Sequence, residues 1–360
     1  MKTIAAAFLV ILLTFRFSLF AQQSAPPPSP EALGRIDAHA HLFEDASPFY
    51  ELFNRLNLRL LNICVVDAYE RGSEQVEPQH TMAMKVFSHS HKRAAWCSTF
   101  DPVGWETPGF AQRVIRQLEQ TFSQGAVAVK IYKSIGMELK SKNGKYLMPD
   151  NQVFDPIFDF IAAQNRTLFA HIAEPSAAWQ PLDPKSPDYD YYKTRPAWHM
   201  YGHPERPTKA MILSARDAMV KRHPKLRVVG CHLGSMEEDV DEIARRLEQY
   251  PNFAVDTAAR MEHLALQKRE KVRAFLIKYQ DRILYATDNV AYDFDDATSA
   301  AAKWESQYAK DWKYLATDET INYGERKSQG LALPEEVLRK IYRQNALRWV
   351  PGMNQPGGHP

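Results

Sequence analysis

Four separate segments of the chain each end an apolar run with a histidine or an aspartate. These residues are His39, His41, His171, His232 and Asp288. Imidazole nitrogens and carboxylate oxygens are the ligands that Zn²⁺ and similar divalent ions accept in proteins. Each residue alone has an ordinary explanation, since a histidine is often only hydrogen-bonded and an aspartate can cap the next segment. Their recurrence at the ends of four apolar runs predicts one shared metal centre.

The elements that would position these residues alternate regularly along the chain. Short apolar runs are followed by amphipathic stretches with helical spacing, such as VDEIARRLEQY. The candidate strands span 34–39, 58–66, 93–100, 125–132, 167–172, 226–232, 252–256 and 282–287. Eight strand–helix repeats predict an α/β fold of the (β/α)₈ TIM-barrel type. A doubly wound sheet lacks support, because no glycine-rich phosphate turn follows any strand. Because the carboxyl ends of barrel strands meet at one mouth, the five side chains should converge there.

The N-terminal region is expected to be removed from the folded protein. Residues 1–21 have the layout of a secretory signal peptide, with Lys2 before an apolar run. Arg16 interrupts that run, which makes it shorter than a membrane span requires. Residues 22–33 are proline-rich and are expected to link the signal peptide to a barrel over 34–352. We therefore expect an exported protein, periplasmic or secreted, without membrane attachment after signal cleavage.

Two connections within the barrel are too long for simple turns. They span 173–207 and 289–333, and both are rich in aromatic residues. Long loops that follow barrel strands lie on the face where active sites form, so we expect two insertions at the mouth. The aromatic part of the first, 179–201, is expected either to close over the substrate or to pack against the second insertion.

Composition limits the range of partners and the redox chemistry. The formal net charge of +2 gives no indication of a nucleic-acid partner, and a small-molecule substrate is expected. Cys64, Cys97 and Cys231 lie in apolar runs, and their odd number argues against a disulfide scaffold. The sequence therefore predicts three buried thiols, and it leaves homo-oligomerisation open.

Six segments of the sequence together resemble the successive motifs of the amidohydrolase superfamily. They read IDAHAHLF, LFAHIAEP, VVGCHLGSM, PNFAVDT, RILYATDN and IYRQNALRWV. The sequence is most similar to the amidohydrolase-related group that contains aminocarboxymuconate-semialdehyde decarboxylase and the resorcylate decarboxylases, from about residue 34 to 350. The resemblance implies a distorted (β/α)₈ barrel that binds a divalent metal ion, commonly zinc.

Carried over residue by residue, the resemblance assigns roles at the mouth of the barrel. His39, His41, His171 and Asp288 correspond to the ligands of one divalent ion, with Zn²⁺ as the expected metal. His232 corresponds to a sixth-strand histidine that mostly polarises water or substrate without binding the metal. Asp288 can also accept a proton from water, so the resemblance implies His232 and Asp288 as the catalytic residues.

Lys130 is an ambiguous position near the end of the fourth strand. Strand alternation places its side chain on the same face as Ala128 and Tyr132, toward the inside of the barrel. We favour an ammonium group that faces a substrate carboxylate or donates hydrogen bonds inside the mouth. The alternative is a carbamate that bridges two metals, as in binuclear amidohydrolases, and Lys133 is the less favoured candidate for the lysine.

Four further residues near strand ends carry weaker predictions. Glu174 could bind a substrate amine, but an acceptor that orients a ligand imidazole is the favoured role, while Arg260 could reach an anionic substrate or be solvated. Asp256 is expected to support the mouth by hydrogen bonds, and Asp37 to accept hydrogen bonds on the same face as the histidine pair. We expect no metal binding from three other histidines, which are His199, His203 and His263.

Two reactions suit this set of residues. The first is metal-dependent hydrolysis of an amide, lactone or other ester. In this reaction His232 would stabilise the oxyanion or transfer a proton, and Asp288 would deliver the proton to the leaving group. The alternative is non-oxidative decarboxylation of an aromatic or unsaturated acid at the same site. The predicted export favours hydrolysis, and a non-catalytic binding protein is the third and least favoured hypothesis.

Overall fold

The structure, a computed structural model, is an α/β barrel. It describes residues 29–67, 72–324 and 326–353, so the predicted signal peptide lies outside the described residues. Eight parallel strands neighbour one another in chain order and alternate with helices. The prediction of a distorted (β/α)₈ barrel is thereby confirmed.

The strands form one large sheet and a small hairpin. They are β1 (Ile36–Phe43), β2 (Arg59–Ile63), β3 (Ala94–Thr99), β4 (Ala126–Ile131), β5 (Thr167–Ala170), β6 (Arg227–Gly230), β7 (Phe253–Asp256), β8 (Ile283–Leu284), β9 (Val290–Tyr292), β10 (Thr320–Tyr323) and β11 (Arg326–Gln329). Strand β9 follows β8 in the chain and pairs in parallel with β1. The Ala38 N–H donates to the Tyr285 carbonyl at 3.0 Å, so the chain between β8 and β9 runs along β1 and joins the two ends of the sheet.

The helices lie between consecutive strands and in the long connections. They are α1 (Pro30–Leu33), α2 (Ser47–Arg55), α3 (Val76–His89), α4 (Phe110–Ser123), α5 (Ser134–Met137), α6 (Asp155–Ala163), α7 (Tyr189–Thr194), α8 (Lys209–Arg222), α9 (Cys231–Gly234), α10 (Val240–Gln249), α11 (Met261–Ala265), α12 (Arg269–Lys278), α13 (Ala297–Ala316), α14 (Glu335–Arg339) and α15 (Asn345–Trp349). Among the described helices, none is both long and apolar enough to cross a membrane.

Helix α10 shows how the sequence encodes the outer layer. Its buried residues, Val240, Ile243 and Leu247, recur at helical spacing and form one apolar stripe. The Asp239 carboxylate accepts a hydrogen bond from the Asp241 N–H at 3.0 Å, which caps the first turn. The helix can therefore bury one face against the sheet while its charged face remains in water.

The apolar core has an inner and an outer part. Inside the barrel, aliphatic side chains, one phenylalanine and thiols from the strands pack together with Trp349 of the C-terminal helix. Cys97 and Cys231 belong to this inner cluster, and Cys64 packs nearby with Trp96. All three cysteines are buried and free, as the sequence predicts. The outer part packs the other face of the strands against the helices.

A bulge in β1 corrects one expectation from the sequence. The pairing of β1 with β2 shifts register between Asp37 and Ala40, so the simple two-residue alternation is broken there. Asp37 accordingly contacts Tyr308 of α13 outside the barrel, whereas His39 points into it. Asp37 is a structural hydrogen-bond acceptor as expected, but it does not share a face with the histidine pair.

Both long connections contain regular structure. The 173–207 connection contains α7 and two short 3₁₀ turns, and 289–333 contains β9, α13 and the β10–β11 hairpin. Helix α13 packs on α2, and its Asp296 carboxylate accepts from the Ser299 N–H at 2.8 Å. Residues of both connections, including Tyr191 and Tyr292, line the mouth of the barrel.

Candidate active site

The backbone leaves the ends of four strands in an unusual conformation. Ala173, His232, Ala259 and Asp288 all have positive φ angles, between 54° and 68°. Non-glycine residues rarely adopt this left-handed region, and those that do often cluster at functional sites. At His232 the conformation is held by its N–H, which donates to Asp256 Oδ1 at 2.7 Å. The turns thereby direct side chains into the mouth instead of along the strands.

Three imidazoles at the mouth are anchored in the same way. The anchoring contacts are His39 Nδ1 to Asp256 Oδ2 (2.9 Å), His41 Nδ1 to the Ile63 carbonyl (2.7 Å) and His232 Nδ1 to the Ala258 carbonyl (2.9 Å). Because each acceptor is an oxygen, Nδ1 carries the proton and donates it. Each ring therefore presents an Nε2 lone pair to the interior, which is the arrangement that metal-binding histidines require.

Asp288 completes a compact group of donor atoms. Its Oδ1 lies 3.3 Å from His39 Nε2 and 3.4 Å from His41 Nε2. One donor atom from each of the three residues lies within 4.8 Å of the other two. Two imidazole nitrogens and one carboxylate oxygen at this spacing fit a divalent cation.

His171 lies beside this group but is not one of the three residues whose donor atoms lie within 4.8 Å of one another. Its ring centroid is 4.2 Å from that of His232, and the His232 centroid is 5.1 Å from that of His39. Within the part of the chain that the structure describes, the buried His171 Nε2 has no hydrogen-bond partner. A buried nitrogen without a partner is costly, and a cation would satisfy it.

Lys130 projects inward from β4 and is buried at the same site. Its ammonium donates to His39 Nε2 at 2.9 Å. Lys130 and Tyr132 both line the cavity, in agreement with the strand alternation. The lysine therefore contacts the very atom through which His39 would bind a metal, so the ammonium group must move aside or change its chemical state when a cation occupies the site.

Electrostatics at the site favour ionised carboxylates and neutral imidazoles. Burial lowers the pKa of His232 to about 3, and it also lowers the pKa of His39 and His171. Burial alone would raise the pKa of Asp288, but the adjacent histidines hold it well below its usual range. The pKa of Asp256 is lowered in the same way by His39. Neutral nitrogens and charged oxygens are the states that bind cations.

The group opens into a cavity of about 470 Å³ at the carboxyl ends of the strands. Lys133 and Glu174 form a buried ion pair on its wall. The ammonium of Lys133 also lies 4.3 Å from the Trp198 ring centroid, and Tyr192 donates to Glu174 Oε2 at 3.0 Å. The pair therefore ties the 173–207 connection to the end of β4.

Arg260 follows β7 and lines the same cavity. Its Nη1 donates to the Ala259 carbonyl at 3.0 Å, and its Nε lies 3.7 Å from Glu237 Oε2. Glu237 is fully buried, and Lys209 and Arg260 keep its pKa below the usual value despite burial. The arginine is thus held in place by a buried counter-charge, and the Nε has no hydrogen-bond partner among the described residues.

The remaining histidines of the mouth region have other partners. Their contacts are His199 Nε2 to the Gln180 carbonyl (2.9 Å), His203 Nδ1 to Glu205 Oε1 (3.1 Å) and His263 Nε2 to Asp188 Oδ2 (3.1 Å). None of these contacts involves the Asp288 group. His263 nevertheless lines the cavity, which sequence position alone did not indicate.

Several residues of the cavity wall were not singled out from the sequence. The buried Glu237 is the partner of Arg260, and the partly exposed Asp188 is the partner of His263. Phe43 lines the cavity beside His41. Phe43 had a detectable signal, because it continues the two-residue spacing of the histidine pair. The acidic partners had none, since their positions depend on how separate loops meet.

Solved structures share this fold at low sequence identity. The 2,6-dihydroxybenzoate decarboxylase from Rhizobium is 14% identical, with a TM-score of 0.51, over 88% of this chain and 98% of that one. A complex of 2,6-dihydroxybenzoate decarboxylase with 2,6-dihydroxybenzoate is 13% identical, with a TM-score of 0.51, over 88% and 98%. An amidohydrolase II structure is 13% identical, with a TM-score of 0.50, over 88% and 99%. At such identities the likeness establishes the fold.

The family is established by the sequence itself. No curated protein sequence matches the chain significantly. The family model described as amidohydrolase, however, matches residues 36–352, which is most of the chain and includes every strand of the barrel. The resemblance of the motifs is confirmed, and the hypothesis of a non-catalytic binding protein is disfavoured. The chain belongs to the amidohydrolase family and is an enzyme of that superfamily.

Proposed function

We propose that this protein is a metal-dependent hydrolase that cleaves an amide, lactone or other ester of a small molecule that carries a carboxylate. The observation that carries the proposal is the convergence of one donor atom each from His39, His41 and Asp288 within 4.8 Å of one another. The Nδ1 atoms of the two imidazoles are fixed by hydrogen bonds to the barrel. Preorganised donors of this kind favour cation binding.

The residues present fit one divalent ion, with Zn²⁺ as the proposed metal. His39, His41 and Asp288 would hold it, and His171 is the proposed fourth ligand because its buried Nε2 lacks a partner among the described residues. When bound, such an ion supplies Lewis acidity, which polarises a carbonyl group and makes water more acidic.

His232 and Asp288 are the proposed catalytic residues. Because His232 Nδ1 donates to the Ala258 carbonyl, its Nε2 is available to accept a proton from the attacking water. The protonated ring can then donate to the oxygen that becomes negatively charged in the tetrahedral intermediate. Asp288, which is ionised, can accept a second proton and deliver it to the leaving group.

Arg260 is the proposed binding residue for the substrate carboxylate. Its Nη1 donates to the Ala259 carbonyl, Glu237 lies beside its Nε, and the residue lines the cavity. A fixed guanidinium binds a carboxylate with little loss of side-chain freedom. Glu174 is proposed to act indirectly, by holding Lys133, because its oxygens are engaged with Lys133 and Tyr192.

Decarboxylation of an aromatic or unsaturated acid is the second candidate. The specific observation in its favour is Lys130, a fully buried ammonium beside His39, where a reacting carboxylate would be stabilised. The names of two structures that share the fold, both 2,6-dihydroxybenzoate decarboxylases, agree with this candidate. The predicted export of the chain, which we retain as a proposal, favours hydrolysis.

Product analysis separates the two reactions. The purified protein, loaded with Zn²⁺ and separately with Mn²⁺, is incubated with panels of lactones, esters, amides and aromatic acids. Acid release measured by titration at constant pH from the first three panels supports the hydrolase. Release of CO₂ from the acids, with no hydrolysis of any panel, would contradict it and establish the decarboxylase. Arg260→Met should raise KM for carboxylate-bearing substrates and change kcat little.

A further inference from the structure

Three aromatic rings lead outward from the candidate metal site. The centroid of Phe43 is 5.8 Å from that of His41 and 5.7 Å from that of Tyr292. Phe294 stacks on Tyr292 with centroids 5.0 Å apart and ring planes at 9°. We refer to Phe43, Tyr292 and Phe294 as the aromatic rail.

The pairing of two strands fixes the inner part of the rail. In the parallel pair of β1 and β9, His41 aligns with Val290 and Phe43 aligns with Tyr292. Residues two apart on a strand project to the same side, so these four side chains share the face that borders the cavity. Rings at paired positions of neighbouring strands lie close enough to stack.

A tight turn presents the outer ring. The Tyr292 N–H donates to Asp295 Oδ2 at 2.8 Å, and the Asp295 N–H donates to the Tyr292 carbonyl at 3.0 Å. Phe294, at the tip of this turn, is 79% exposed. An isolated exposed phenylalanine needs no explanation, but this ring continues an ordered stack that begins at a candidate metal ligand.

The charges around the rail restrict what it can bind. Asp293, Asp295 and Asp296 flank Phe294 in the sequence, and Glu44 follows Phe43. Burial and the neighbouring aspartates raise the pKa of Glu44, which shows that negative charge is concentrated there. Arg260, by contrast, lies on the wall of the cavity. An anionic ligand group is therefore disfavoured along the rail and favoured at Arg260.

We propose that the aromatic rail binds an uncharged planar part of the substrate, aromatic or conjugated, while the carboxylate of the same molecule binds Arg260. This inference rests on the proposed function, because it specifies the substrate class of that same site. Flat rings can form stacked or edge-to-face contacts with the rings of the rail, and saturated groups of equal size cannot. The substrate would thus be an aryl-bearing or conjugated acid derivative instead of a short aliphatic one.

The test is a binding measurement that needs no turnover. Calorimetry on the Zn²⁺-loaded protein compares phenylacetate, phenylpropionate and phenylbutyrate with their cyclohexyl analogues. We expect the phenyl ligand to bind more tightly at one or more chain lengths. Tyr292→Ser should reduce that preference by about threefold to tenfold, the range expected for loss of one aromatic pair. Phe294→Ser should reduce it less, because its ring lies farther from the cavity.

The experiment includes a control variant, and three results would contradict the proposal. Tyr201→Ser changes a tyrosine of similar exposure, 50% against 43%, that does not border the cavity, and should preserve the phenyl preference. Equal binding of phenyl and cyclohexyl ligands at every length would overturn the proposal, as would a preference that survives a Tyr292→Ser/Phe294→Ser double variant. A native dimer that Phe294→Ser dissociates in sedimentation would also overturn it. If hydrolysis fails but the preference holds, only the proposed reaction is wrong.

Discussion

Two clusters of buried polar residues lie on opposite sides of β1. The inner one faces the cavity and contains His39, His41 and Asp288. The outer one faces α13, where Asp37 accepts from Tyr308 at 2.9 Å and Asp311 accepts from Tyr285 at 3.0 Å. Both contain carboxylates, of which Asp288 is 28% exposed while Asp37 and Asp311 are buried. Their partners also differ in kind: imidazoles inside and phenols outside.

The balance between burial and charged partners decides the charge of each carboxylate. Histidines hold the pKa of Asp288 well below its usual range, whereas burial raises the pKa of Asp37 to about 6 and that of Asp311 to about 7. In the outer cluster, every carboxylate oxygen of these two aspartates accepts a hydrogen bond. In the inner cluster, lone pairs of the donor atoms face a cavity. The polar atoms of the outer cluster bind one another, whereas those of the inner cluster are available to a ligand.

The largest effect should come from His39→Ala, which removes one donor of the inner cluster. We expect loss of bound metal, measured by elemental analysis, and loss of activity to the background rate, because the remaining donors no longer enclose a cation. His223→Ala is the matched control, since His223 is also buried but is bonded to Asp159 at 2.9 Å on the outside of the barrel. Retention of full metal content by His39→Ala would show that the inner cluster is not the metal site.

His232→Ala should separate catalysis from metal binding within the inner cluster. We expect a metal content equal to that of the native protein and a fall in kcat of about 10²- to 10⁴-fold, the usual contribution of a general acid–base residue. Both quantities can be measured on one preparation. If the metal is lost together with the activity, His232 is a ligand, and the proposed division of roles is wrong.

Asp311→Asn should change the pH dependence of stability without touching the inner cluster. Burial and the charge of Asp37 raise the pKa of Asp311, against Tyr285, Gln307 and Lys310, which lower it. The folded protein therefore holds this proton up to about pH 7, whereas the unfolded chain releases it near pH 4. The free energy of unfolding should then fall as the pH rises from about 4 to about 7, by up to about 1.4 kcal/mol per pH unit.

The asparagine variant carries no proton at this position, so urea unfolding between pH 4 and pH 8 should show a flatter profile than the native protein. Its metal content should remain native. An unchanged profile would mean that Asp311 is ionised in the folded state and that burial does not keep its carboxyl group neutral.

The smallest effect should come from Tyr308→Phe. It removes one of the hydrogen bonds to Asp37 and should lower the free energy of unfolding by about 1–2 kcal/mol. Tyr342→Phe is the matched control, because the buried Tyr342 hydroxyl has no hydrogen-bond partner among the described residues. Removal of this hydroxyl should leave the free energy of unfolding unchanged. Equal destabilisation by the two variants would show that burial of the ring, and not the bond to Asp37, determines stability here.

Sequence patterns predicted the inner cluster better than the outer one. His39, His171, His232 and Asp288 follow apolar runs, and barrel geometry alone brings such positions to one mouth. The outer cluster depends on the bulge in β1, which turns Asp37 away from His39, and a bulge leaves no reliable mark in one sequence. The partners Glu237 and Asp188 were missed for a related reason, since they lie on loops whose packing is determined by distant segments.

The three thiols of the barrel can be used to measure how often the strands separate. Cys64, Cys97 and Cys231 are 1% exposed or less, and burial raises the pKa of each far above that of a reactive thiol. A water-soluble thiol reagent can therefore reach them only when the strands separate. The rate of labelling in the native chain thus gives the frequency of opening at the strands themselves, without an introduced probe.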